Sequence, residues 1–587
     1  MKKAMALFIG AMLVIGIFAG CSGETETGQS SQFDTSGATD TLLSIEDVGF
    51  LDENGDSVYR IVRPKDDSDA TAVAQLVYKQ MKSLLGVKIR NISDAEDGAD
   101  QYEILVGNCN RPEVEVAKRY LEQKTGGRYA DYIICTVGKK IVIYSQSQKS
   151  LQAAADYFAV NLLNPEGIKG GIEYIHKVEG EFEDITVNQA PIGRYTIIRQ
   201  HYNASYLTEL ELNALIDDVF SRSGYKLQLK HDKYTEPSQY EIIVGNCDRE
   251  GVEKITNSDE YRITVKGDKV YLNGGSAHAT AMAVTEFKKL FKGNITDSIS
   301  KSGSYDQTMA GYDKSVTLYK TFEENFDGTE INTDIWKNGD PTAWDTGLNG
   351  KQQLRSTDPN DVYVKDGSFY ICAREDDENY YGGIIQTYAT YKYGYIEMSS
   401  KIPHGTGFWT ALYLCTDDLY SAIDPSLPQL AGPEYDVMEC FGNSEHYQAN
   451  IHSWPAAGGE IKGWEHISLD GPVYGNDKRY HSVDAGVPLG YDFHTYGMMW
   501  DDERVTFTCD ADPFFSYDTT LNEQDIETNN HSVWIRIAMN VGSATNPEPG
   551  ITDSIEDWQN TNKFQVDWIN VYQKNDGKCM WNGKILH

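Results

Sequence analysis

Two stretches of this chain are nearly the same. QYEILVGNCNR begins at Gln101 and QYEIIVGNCDR at Gln239. Whatever fold one copy takes, the other must take too, and their neighbours keep step. Each string follows an amphipathic helical pattern, ATAVAQLVYKQMKSLLG ending at Gly86 and TELELNALIDDVFSRSG ending at Gly224. The spacing from Gly86 to Gly224 equals that from Tyr102 to Tyr240, so register holds between helix and strand. In the second helix Leu212, Leu215, Ile216 and Val219 recur at helical spacing, and the closing glycines suit a left-handed cap. Upstream, YRIVRP and YTIIRQ read as strands. Downstream, DYIICTVGKKIVIYS and EYRITVKGDKVYLNG each read as strand, turn, strand, and a second helix closes each copy. The pattern predicts two copies of one α/β unit with a small sheet, over residues 41–189 and 190–311.

The strand ending in Gly-Asn resembles the small α/β domain that precedes the catalytic barrel in hexosaminidases and α-glucuronidases. No set of acids or histidines repeats between the copies. That favours a scaffold holding the rest of the chain away from a surface, with carbohydrate binding as the other reading.

At 587 residues the chain needs several domains. A formal charge of −36 argues against a nucleic-acid partner, because phosphate binding needs Lys and Arg. The first residues read as a secretory leader: MKK, then the apolar AMALFIGAMLVIGIFAG, then Cys21. FAGC resembles a bacterial lipobox. That resemblance implies cleavage after residue 20 and a lipid on Cys21, which would anchor the protein outside the cytoplasm at the bacterial cell membrane, on the cell surface. Residues 21–40 are Ser, Thr, Gly and acid with almost nothing to bury, and read as a flexible tether. The remaining cysteines form no C-x-x-C pair, so a zinc site is not expected. Cys135 and Cys372 sit in apolar strand patterns, where a buried thiol is the default.

From about Tyr312 the pattern changes to short strands rich in Tyr, Phe, Ile and Val between Gly, Asn and Asp turns. Residues 312–587 therefore read as a β-sandwich. Within it, GPEYDVMECFG places Glu434, Asp436 and Glu439 close together. In a strand Glu434 and Asp436 share a face, whereas Glu439 lies an odd step away and would point into the core. A buried unpaired carboxylate is costly. One extra residue, a β-bulge near Val437 and Met438, would return Glu439 to the other two. Three acids on one face share protons, and at least one titrates high. Two carboxyls about 5–5.5 Å apart across a glycosidic bond can hydrolyse it with retention. Calcium needs more oxygens than this short run offers. Trp409, His452 and Trp454 nearby supply rings that stack on sugars.

EYDVMECFG resembles the E-x-D-x-x-E signature of glycoside hydrolase family 16 in its bulged form. FEENFDGTEINTDIW, YGYIEMSSKIPHGTGFWTALYL, FHTYGMMWDDERVTFTCDADPFF and FQVDWINVYQ resemble that family's other segments, in its order, across residues 315–575. The resemblance implies a jelly-roll sandwich that cleaves internal β-glycosidic bonds, with Glu434 as nucleophile, Asp436 as assisting acid and Glu439 as acid/base. It implies that Trp409, His452, Trp454 and Asn540 line the substrate cleft. No cofactor is implied for catalysis, but a structural calcium is, on Asp567 and the Gly367 carbonyl. The chain departs from the family at Thr410–Tyr413, where W-P-A-x-W is common, at Ile384, where Arg is common, and in a long segment before the acids. These departures touch substrate contacts rather than the acids. β-1,3- or β-1,3-1,4-glucan leads as substrate. The alternatives are transglycosylation or a galactan target on the same fold, a non-catalytic glycan-binding lipoprotein, and a purely structural surface protein.

Overall fold

The computed structural model describes residues 49–585, apart from 97–101, 259, 297–299, 305–307, 314–315, 340–342, 347–349, 404–406, 417–431, 442–446, 455–488, 491, 521–525, 527–528, 543–562 and 582–583. The expected leader, Cys21 and the tether lie outside the described residues, as does most of the long segment before the acids.

A first compact unit ends at Val178. Its strands are β1 (Arg60–Arg63), β2 (Asn91–Ser93), β3 (Glu103–Val106), β4 (Tyr132–Val137), β5 (Lys140–Ser145) and β6 (Glu173–His176), in the spatial order β2-β1-β3-β5-β4-β6. β4 and β5 are buried along their whole length because helices cover both faces of the sheet. On one face lie α1 (Ser68–Leu85) and α3 (Gln148–Tyr157); α2 (Pro112–Thr125) covers the other. Asp67 caps α1 by accepting from the Ala70 N–H, and Gly86 ends it at φ 74°, where a side chain would be strained. The sequence reading missed α2. Its signals were Pro112 at the first turn and the inward Val114, Ala117 and Leu121.

The second unit runs from Glu179 to the end. Its α/β part contains β7 (Thr196–Arg199), α4 (Tyr206–Ser223), β8 (Gln228–His231), β9 (Glu241–Val244), β10 (Glu260–Lys266), β11 (Lys269–Gly274), α5 (Ala277–Lys288) and β12 (Ser300–Ser304). The strand order is β8-β7-β9-β11-β10-β12. It repeats the order of the first sheet strand for strand, and the register of Glu103 opposite Lys140 recurs as Glu241 opposite Lys269. Where the first unit has α2, the second has irregular chain over residues 251–258.

The repeated string is built for this fold. Glu103 is fully buried and paired with Arg60, Arg111 and Lys140; Glu241 is fully buried and paired with Arg249 and Lys269. Gly107 and Gly245 take φ 80° and 79° at the strand ends. The Cys109 thiol donates to the carbonyls of Val62 and Val106, and the Cys247 thiol to those of Ile198 and Val244. These contacts are structural and use nothing catalytic.

Most of the rest of the second unit is a jelly-roll sandwich whose two sheets have nine strands each among the described residues. One contains β13 (Val316–Glu324), β15 (Gly394–Lys401), β19 (His494–Trp500), β20 (Arg504–Cys509), β21 (Asp512–Asp518) and β23 (Lys563–Lys574). The other contains β14 (Asn379–Thr387), β16 (Phe408–Cys415), β17 (Gly432–Phe441), β18 (Gln448–Trp454) and β22 (Trp534–Val541). Alternation sorts their side chains. Ile396 and Met398 of β15 enter the sandwich core, while Tyr395 turns outward and joins Leu318, Met499 and Tyr572 in the core of the second α/β sheet. The α/β part and the sandwich of this unit are therefore packed as one body. The eight cysteines among the described residues are buried and free.

Candidate functional site

Strand β17 holds the three acids. Against β16 its pairing runs Glu434 with Cys415, Asp436 with Tyr413, then Met438 with Leu412 and Glu439 with Ala411, so Val437 is one residue too many. Against β18 the same break falls between Asp436, opposite Asn450, and Glu439, opposite Gln448. Tyr435, Val437, Met438 and Cys440 all enter the sandwich core. The bulge thus spends two successive residues on the core side. It leaves Glu434, Asp436 and Glu439 together on the face turned away from the core, beside Ala411, Tyr413 and Cys415.

Neighbours hold Glu439 firmly. Its Oε1 accepts from Trp409 Nε1 at 3.0 Å, and its Oε2 accepts from Asn450 Nδ2 at 2.9 Å and Gln448 Nε2 at 3.3 Å. Burial raises its pKa, and these donors together with Asp436 oppose the rise. Asp436 is raised much further, by burial first and then by the negative charges of Glu439 and Glu434. Asp436 is 4% and Glu439 7% exposed, so this pair keeps a proton at a pH where a solvated carboxyl has lost it. Glu434 is half-buried.

Trp409 pairs with Asn540 across β16 and β22, so both stand on the acid face. His452 and Trp454 lie opposite Glu434 and Gly432 in β18; only their backbone is among the described positions. Gln448, Asn450 and Arg536 were missed from sequence. The first two alternate with His452 along QANIHSW, and parity alone would have added them. Arg536 sits four residues before Asn540 on the same strand. Its guanidinium lies 5.6 Å from the ring centres of Tyr413 and Trp534, and its Nε donates to Gln386 Oε1 at 2.8 Å. Ile384 packs with Ala411, Tyr413 and Ala538 into an apolar floor.

A model for the "Beta-porphyranase A-D, GH16 domain" matches residues 317–574. Those residues form a glycoside hydrolase family 16 domain. Curated proteins similar to the family 16 domain include a glucan endo-1,3-beta-glucosidase A1 of Niallia circulans, 26% identical over 280 residues, which are 43% of this chain and 37% of that protein. An endo-1,3-1,4-beta-glycanase ExsH of Rhizobium meliloti (strain 1021) is 26% identical over 293 residues, 44% of this chain and 52% of that protein. The chain thus spans roughly half or less of the length of these two relatives. Among solved structures, a laminarinase from Flavobacterium sp. UMI-01 aligns at 22% identity and TM-score 0.32, over 43% of this chain and all of that one.

Away from the acids, Gly367 and Asp567 line one cavity together with Asp327. Burial raises the Asp567 pKa, the charge of Lys254 lowers it and that of Asp327 raises it. Among the described residues no three His, Cys, Asp or Glu side chains form a metal-binding group.

Proposed function

We propose that the protein is an endo-acting, retaining β-glycan hydrolase, with β-1,3- or β-1,3-1,4-glucan as its leading substrate. The observation that carries the reading is the bulge at Val437, which puts three acids on the face turned away from the sandwich core with Glu439 gripped by three donors. In this reading Glu434 attacks the anomeric carbon while Glu439 gives its proton to the glycosidic oxygen, and one sugar leaves as an alcohol. Glu439, now a carboxylate, takes a proton from water. The water oxygen attacks the anomeric carbon and releases Glu434. Asp436, the higher-titrating partner, holds the shared proton beside both glutamates. Trp409, Asn540, His452 and Trp454 contact the glycan. Transglycosylation uses the same acids with a sugar in place of water.

The test is release of reducing ends from laminarin, lichenan, agarose and porphyran, repeated with Glu434→Gln. Release from a glucan, lost on substitution, is the expected result. Release surviving the substitution overturns the site, and binding without release favours the lectin-like reading. A galactan target is the second reading, because the matching family description names β-porphyranases. Release from porphyran or agarose alone would select it.

The remaining expectations are proposals of the same kind. The two α/β sheets are copies of one ancestral unit, bounded at residues 41–189 and 190–311; their common strand order and ion pairs support this. A lipid on Cys21 anchors the chain outside the cytoplasm, and Cys21→Ser is expected to move the protein from the detergent phase to the aqueous one. A structural calcium sits at Asp567 and the Gly367 carbonyl. Hard oxygen donors there suit it, and Lys254 close to Asp567 is the opposing feature. If it binds, chelation lowers the melting temperature and added calcium restores it.

A further inference from the structure

The second α/β sheet ends in a cavity that the catalytic reading does not use, and the calcium proposed at Asp567 and Gly367 would take only one edge of it. Its volume is about 590 Å³, within the usual range for small-ligand sites. It opens at the carboxyl ends of β7 and β9, marked by Arg199 and by Val244 with Gly245. β7 and β9 are parallel neighbours, and the chain leaves β7 through α4 toward β8 on the other side. This is the point where the winding of the sheet reverses, the place where open α/β sheets hold ligands.

Three observations say the cavity is built for a ligand. First, the sandwich supplies its far wall through a second bulge. In β23 the pairing skips Asp567, so that Gln565, Asp567, Trp568 and Asn570 all reach the cavity. Second, Asn570 is 3% exposed, and its Oδ1 has no hydrogen-bond partner. A buried amide oxygen left unmet is costly, and Asn570 is among the residues that line the cavity. Third, the second unit is open where the first is filled. By strand register, Gly274, Gly275 and Thr280 stand where the first unit has Ser145, Gln146 and Leu151. Leu151 is part of the first unit's core, whereas Thr280 lines the cavity. The irregular chain over 251–258 also faces the cavity, through Lys254, Thr256 and Ser258, where the first unit spends the same stretch on a helix.

The chemistry selects the ligand. The walls carry many amides and hydroxyls, with two rings, Phe493 and Trp568. Carboxylates outnumber cations around it: Arg199 pairs with Glu209 at 2.7 Å and Asp512 at 2.9 Å, and the charge of Lys254 acts on Asp567 against that of Asp327. This acidic balance of side chains disfavours a phosphate. A neutral molecule with many hydroxyls and one apolar face, a saccharide, satisfies the amides and stacks on the indole.

We infer that the second α/β unit and the back of the family 16 domain together form a second saccharide site, separate from the acids. Its test does not need hydrolysis, so it stands apart from the test of the catalytic reading. The full chain carrying Glu434→Gln is titrated calorimetrically with laminarihexaose and with neoagarohexaose, and inorganic phosphate is the control. Two classes of site are expected for at least one of the two sugars. Trp568→Ala and Thr280→Leu should each weaken one class by about tenfold or more, and Trp409→Ala the other. Asn246→Ala, at an exposed residue of the cavity, gives a variant whose folding is not at risk. In the chain with Glu434 intact, these cavity variants should leave kcat on an aryl glycoside unchanged. A single class removed by Trp409→Ala overturns the inference. So does binding unaffected by all three cavity variants, or saturable binding of phosphate in place of sugar.

Discussion

At the scale of single residues, the division of labour among the acids can be separated by the leaving group. If Glu439 donates the proton, Glu439→Gln removes a general acid, and hydrolysis of a β-glucan should fall by ~10²–10⁴-fold. A dinitrophenyl glycoside departs without a proton, so the same variant should form its glycosyl-enzyme at near the original rate. A burst of dinitrophenolate followed by slow turnover is the expected trace; equal loss on both substrates would remove Glu439 from the role. The three acids were legible because strand parity left only a bulge as a way to unite them. Asn450 and Gln448 were readable by the same parity and were passed over. That one of them titrates high was readable from their proximity; that it is Asp436, driven first by burial, only the folded face reveals.

At the scale of elements, strands and helices followed from periodicity, and their caps from glycine. Gly86 and Gly224 end their helices at φ 74° and 75°. α2 is the exception. Its apolar positions are sparse, and lysines and glutamates between them blur the period. The repeated string was legible as a repeat, but its reason is an ion cluster that closes over distance in sequence. Glu241 joins Lys269 at 2.6 Å and Arg249 at 3.5 Å, with the glutamate wholly buried. Removing one partner of a buried pair strands the other charge, so Glu241→Gln should cost about 3 kcal/mol. Denaturant unfolding of the second unit measures this. A loss below about 1 kcal/mol would mean that water already screens the cluster.

At the scale of the whole second unit, the sequence suggested a boundary near residue 311, but side chains from both sides of it share one core. The key contact was invisible in the string YGYIEMSSKIP, where Glu397 reads as one more outward-facing strand residue. It is fully buried. Its carboxylate accepts from Ser205 Oγ at 2.7 Å, from the Tyr206 N–H at 2.9 Å and from the Tyr395 hydroxyl at 2.6 Å. It therefore sits on the N-terminus of α4, which favours negative charge. Burial still outweighs these donors, and with the charge of Asp510 it pushes the Glu397 pKa up to about 7. A carboxyl raised in the folded state stabilises most when both states are protonated, below its unfolded value near 4.5. That contribution is lost as pH climbs toward 7, by about 3 kcal/mol over the interval. Asp436 and Glu439 are raised too and slope the same way, so the difference between proteins carries the information. Glu397→Gln keeps the shape and removes the titration. Between pH 4.5 and 7 the wild-type melting temperature should fall more steeply than that of the variant, and above pH 7 the two curves should run parallel. Curves that are parallel throughout would mean that Glu397 stays charged, with the N-terminus of α4 winning over burial.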